Sequence, residues 1–104
     1  MSQDPHTARR RAEILNGLGL HLRPAAKFVE LANRFASEVR IVHNGEEIDG
    51  KSVISLATLA AERGTVLEIV TRGADAEAAV AALTDLVAAR FYEDDDGQSV
   101  ERAS

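Results

Sequence analysis

Pro24 fixes the place where this chain must turn into a helix. Proline suits the first turn, where its missing N–H is not needed and its φ is already helical, and residues 25–35 continue with good helix formers. His21 then falls at or near the N-cap, and Gly19 lets the chain approach closely. The open N–H groups of Leu22 and Arg23 and the positive end of the helix dipole surround the ring, which makes the position attractive to an anion.

An imidazole can act as nucleophile, base or metal ligand, so its neighbours must choose the chemistry. There is no cysteine, His6 and His43 lie in a tail and a turn, and Glu30 is more than two turns down the helix. Metal spacing is therefore poor, and no metal or cofactor is expected. A phosphoryl group fits better: bonded to the ring, it places negative charge where the amides and the planar fork of Arg23 point. A polar N-cap without chemistry is the alternative that the residues alone leave open.

Taken in order, residues 1–10 read as a polar tail, with Arg9 to Arg11 a solvated charge run. Residues 12–16 read as a short strand with Ile14 and Leu15 on opposite faces, and Asn16-Gly17 as the loop leading to the histidine. The helix from Leu22 to Phe35 places Phe28, Val29, Ala32 and Phe35 on its core face. Glu38 to His43 and Glu46 to Asp49 form a hairpin around Asn44-Gly45, both of which tolerate positive φ. Ser52 caps a short helix that runs to about Ala61 and ends at Gly64, with Leu56 and Leu59 or Ala60 inward and Val53-Ile54 partly exposed. Val66 to Thr71 is a strand. Asp75 caps a last helix that buries Ala76, Ala79, Val80, Leu83 and Val87. Residues 93–104 read as an acidic, disordered end. The order β-α-β-β-α-β-α predicts an α+β fold, a four-stranded antiparallel sheet covered on one face by three helices.

Composition narrows the function. The 12 basic and 17 acidic residues give a formal charge of -5. Residues 93–104 hold five acids and one base and so contribute -4, leaving a nearly neutral body. That body offers no footprint for nucleic acid: Phe28 and Phe35 belong to the helix core, and Phe91-Tyr92 follow the last helix, so no strand carries a stacking ring. No apolar run reaches membrane-spanning length, the start lacks the apolar core of a signal peptide, and the absence of cysteine fits a reducing cytoplasm.

Gly-Leu-His-Leu-Arg-Pro-Ala-Ala at 19–26, Asp-Gly-Lys-Ser-Val-Ile at 49–54, and Gly-Thr before an apolar strand at 64–70 resemble HPr, the histidine phosphocarrier family of the bacterial phosphoenolpyruvate-dependent phosphotransferase system. The likeness covers about residues 12–90, and a domain of 11–92 between two tails is expected. It implies an open-faced β-sandwich with strand order 1-4-2-3. It also implies a monomeric cytoplasmic carrier, not an enzyme in its own right. On this resemblance His21 takes a phosphoryl group from enzyme I and gives it to a sugar-specific enzyme IIA, with Arg23 and the Leu22 and Arg23 amides as donors to the phosphoryl oxygens. Leu22, Ala26, Val53 and Ile54 would form an apolar docking patch ringed by Arg23, Lys27 and Lys51. Ser52 aligns with the serine that an HPr kinase/phosphorylase modifies in some bacteria. Ser52-Val53-Ile54-Ser55-Leu56 is also similar to the nitrogen-related branch of the family, whose outputs are regulatory contacts.

Overall fold

Asn44 and Gly45 take φ of 53° and 79°, the positive values that a tight hairpin turn needs. They join Glu38–His43 (β2) to Glu46–Asp49 (β3) within the expected limits. The structure is a computed structural model describing residues 6–93. Thr7–Glu13 (β1) and Val66–Arg72 (β4) complete a four-stranded antiparallel sheet ordered β1-β4-β2-β3. Three helices, Leu22–Ala32 (α1), Val53–Leu59 (α2) and Ala76–Ala88 (α3), supply the second layer. Between the layers Ile14, Phe28, Ile41, Leu56, Ile69 and Leu83 are buried. No helix among the described residues is long and apolar enough to cross a membrane.

The first strand differs from expectation. It begins at Thr7, so the arginine run lies inside the sheet, and regular strand structure ends at Glu13. Three consecutive charges mask the alternation: Ala8 and Ala12 are buried on either side of Arg10, while Arg9, Arg11 and Glu13 alternate with them. Alanine is a weak strand former, and only pairing with β4, from Thr7↔Arg72 to Glu13↔Val66, makes this segment extended. Arg9 meets Glu68 at 3.5 Å across that pairing.

Element ends show where tertiary contacts overrode local reading. α1 stops three residues before Phe35, with Arg34 N–H on the Leu31 carbonyl and Phe35 N–H on the Ala32 carbonyl in tightened turns. Phe35 is consequently half-buried, not a core residue. α2 ends at Leu59, and Ala60 rather than Gly64 takes the left-handed position, at φ 54° and ψ 41°. Gly64 instead lies in the turn before β4, where its N–H bonds the Ile14 carbonyl at 2.7 Å. Asp75 occupies the N-cap of α3, yet its carboxylate makes no cap bond. It accepts from the Ala36 and Ser37 N–H groups, each at 2.9 Å, and from the Ser37 hydroxyl. These bonds hold the α1–β2 loop and keep the carboxyl below its ordinary range, first through the Ser37 hydroxyl and then through the Ala36 amide.

Candidate functional site

The loop before α1 is pinned at several points, and those points set the histidine. The Leu20 N–H bonds the Ala61 carbonyl at 2.8 Å. The side chain of Asn16, fully buried, donates from Nδ2 to the Gly19 carbonyl at 2.7 Å. Gly19 is required here: its φ is +74°, and a Cβ on it would lie 2.5 Å from the Ala61 carbonyl oxygen.

His21 is the N-cap of α1 in extended conformation, and its ring makes no capping bond. The Ala25 N–H closes the first helical turn on the His21 carbonyl at 3.0 Å. Pro24 has no N–H, so the open donors of this terminus are the Leu22 and Arg23 amides, which meet no acceptor among the described residues. The imidazole is 39% exposed, but its Nε2 is sealed from solvent. A group arriving from outside can therefore bond the ring only through Nδ1. Arg23 is exposed one residue into the helix, and no hydrogen bond or ion pair holds its guanidinium among the described residues.

The remaining expected site residues divide into free and committed groups. Leu22 and Ile54 are 60% and 72% exposed, Ala26 is exposed, and Val53 is half-buried against the core. α1 and α2, which carry them, pack side by side. The two lysines are tied to main-chain carbonyls: Lys27 Nζ donates to Phe91 O at 2.8 Å and Lys51 Nζ to Phe35 O at 2.9 Å. Ser52 accepts the Ser55 N–H at 3.1 Å, the cap bond expected of it. His43 is half-buried at the end of β2, and His6 is exposed ahead of β1. Among the described residues no three His, Asp or Glu side chains gather to hold a metal.

Two residues at the site escaped sequence reasoning. Asn16 served there only as a turn marker. In the sequence Glu93 reads as part of the acidic end, whose residues 94–104 lie outside the described ones. Its Oε1 stands 3.6 Å from His21 Nε2 and 3.3 Å from Asn16 Nδ2. What brings it there is a left-handed turn, Arg90, Phe91 and Tyr92 at φ 59°, 55° and 58°. Such a run is unfavourable for residues with a Cβ. The fully buried Phe91 ring and the Lys27 bond to its carbonyl hold it. An apolar pair just past the last helix was the available signal that the chain stays docked.

The result is a small open-faced sandwich with a partly exposed imidazole at the start of α1 and two open amides in the first turn of that helix. Known proteins identify the family. The family described as PTS HPr component phosphorylation site matches residues 8–89. The phosphocarrier protein HPr of Neisseria meningitidis serogroup A is 48% identical over 81 residues, covering 78% of this chain and 91% of that one. HPr of Pseudomonas aeruginosa is 46% identical, covering 77% and 90%. A crystal structure of HPr from Thermoanaerobacter tengcongensis superimposes with a TM-score of 0.79 at 34% identity, covering 84% of this chain and 98% of that one. The catabolite repression protein Crh of Bacillus subtilis, described as a domain-swapped dimer, gives 0.65 at 33% identity, covering 86% and 97%. The chain belongs to the HPr family of phosphocarrier proteins of the phosphotransferase system.

Proposed function

We propose that His21 carries the phosphoryl group, receiving it from the phosphohistidine of enzyme I and delivering it to a histidine of an enzyme IIA. The observation that supports this most is the uncapped imidazole at the start of α1, with Nε2 sealed and the Leu22 and Arg23 amides open. Nδ1 attacks phosphorus as the nitrogen of the donor departs in line. The three phosphoryl oxygens then face donors already in place, so little reorganisation is needed during transfer. Arg23, unpaired and exposed, adds a charge-assisted contact to the same oxygens. The chain supplies half of the reaction centre and the partner the other half, which suits an imidazole left partly exposed. Leu22, Ala26, Val53 and Ile54 form the docking face, and the monomer is the working unit. Lys27 and Lys51 contribute to that face chiefly by bracing it, given their carbonyl bonds.

Incubation with phosphoenolpyruvate and enzyme I should add one acid-labile phosphate, and His21→Ala should abolish it while preserving the fold. Label found on His6 or His43 would overturn the assignment.

A further inference from the structure

We propose that Glu93 is a positioning residue for His21: its carboxylate accepts the Nε2–H of the ring, holds the neutral imidazole with Nδ1 bare, and balances the charge that phosphorylation places on the ring. The inference rests on the reading of His21 as the phosphoryl acceptor. Three observations converge on it. Nε2 is buried and has no hydrogen-bond partner among the described residues, and Glu93 Oε1, at 3.6 Å, is the acceptor that a shift of the side chain by a few tenths of an ångström brings within reach. The Glu93 side chain is only 12% exposed, and a carboxylate so enclosed is costly unless it has partners. Among the described residues its side chain meets His21 and Asn16, and Asn16 Nδ2 also holds the Gly19 carbonyl of the histidine loop. The left-handed turn at Arg90 to Tyr92 closes with the Glu93 N–H on the Arg90 carbonyl at 2.9 Å, so the backbone that carries the carboxylate is fixed as well.

The chemistry follows from the tautomer. When the carboxylate holds a proton on Nε2, the lone pair of Nδ1 is the nucleophile. That pair forms the new N–P bond as the N–P bond of the partner's phosphohistidine breaks, its electron pair leaving on the partner's nitrogen. No proton moves on this chain. The product ring keeps Nε2–H, gains the phosphoryl group on Nδ1, and is therefore cationic, with Glu93 beside it. Delivery to the next histidine runs the same steps backward. Of the other charged groups nearby among the described residues, Arg23 lies on the first turn of α1 and Glu62 lines the recess that His21 shares with Leu18 and Ala57. Neither is paired with Nε2.

Two readouts test this, one of which does not depend on phosphoryl transfer. Two-bond nitrogen–proton NMR of the neutral ring should show a single Nε2–H tautomer in the parent and a mixture in Glu93→Ala. A parent ring protonated on Nδ1, or an unchanged tautomer in the variant, overturns the proposal even if His21 is phosphorylated. In transfer from enzyme I, Glu93→Ala should lower the maximal rate by at least roughly tenfold, the smaller loss seen when a histidine loses the carboxylate that orients it, with KM nearly unchanged. Glu93→Gln, which keeps an acceptor but not the charge, should fall between, and Glu77→Gln on the exposed face of α3 should match the parent. A change confined to KM would make Glu93 a docking residue and refute the positioning role. An inactive parent with the predicted tautomer shift would count against the carrier reading of His21 alone.

Discussion

Replacing Gly19 by alanine tests how the histidine loop is held, and Gly45 provides the control. The two glycines have nearly the same φ, +74° and +79°, so an added methyl carries similar backbone strain at each, about 1 kcal/mol. Their surroundings differ. Nothing lies within 4 Å of a Cβ on Gly45, whereas one on Gly19 would sit 2.5 Å from the Ala61 carbonyl oxygen and 3.1 Å from the Glu62 Cα. Both of those are backbone atoms and cannot rotate away. The Ala61 carbonyl must retreat, which loosens its bond to the Leu20 N–H, worth about 1 kcal/mol, and overpacking adds roughly 1 kcal/mol or more. Gly45→Ala should therefore cost about 1 kcal/mol and Gly19→Ala about 3 kcal/mol. In a domain of this size each kcal/mol lowers the thermal midpoint by about 4–8 °C. Calorimetry should accordingly show Gly19→Ala melting roughly 10–25 °C below the parent and well below Gly45→Ala. Equal midpoints for the two variants would refute the claim that contact with Ala61, and not φ alone, makes glycine necessary at position 19.

Arg23→Ala should slow phosphoryl transfer by roughly tenfold or more, the worth of one charge-assisted contact, whereas Arg34→Ala, beyond the end of α1, should change it little; equal effects would mean that general charge governs the rate. Ser52→Ala should lose about 1 kcal/mol through the missing cap to Ser55, read by denaturant midpoint, and transfer normally. Ser52→Asp should keep its midpoint but accept phosphoryl groups more slowly, because its charge lies beside Val53 and Ile54 in the proposed docking face; parent-like rates would remove Ser52 from that face. The Asp75 carboxyl titrates lower folded than unfolded, so its stabilisation is fully present above the ordinary carboxylate pKa of about 3.9 and fades as pH falls below it. Asp75→Asn should melt lower than the parent at pH 7, with the gap closing below about pH 4; a gap independent of pH would show that the charge of Asp75 is irrelevant.

Much of this protein is decided by interactions within a few residues, and those parts are legible in the sequence. The hairpin of β2 and β3 follows from Asn44-Gly45 between β-favouring runs. The N-caps at His21 and Ser52 follow from Pro24 and from the serine before an apolar stretch. The candidate histidine could be named for the same reason: the start of its helix is a local matter, and three short motifs in order identify the family around it. What the tertiary structure decided are the positions whose partners lie far along the chain. The arginine run becomes a strand because β4 supplies its hydrogen bonds, which no local pattern announces. Asp75 turns from its own helix to the α1–β2 loop because folding brings the Ala36 and Ser37 amides within reach. Lys27 and Lys51, apparent rim charges, are drawn to carbonyls that only packing places beside them. Glu93 is the extreme case, 77 positions from Asn16 and carried to the histidine by a backbone turn unfavourable in isolation. Local propensity cannot reveal such a turn, because burial of Phe91 in the common core is what offsets its strain.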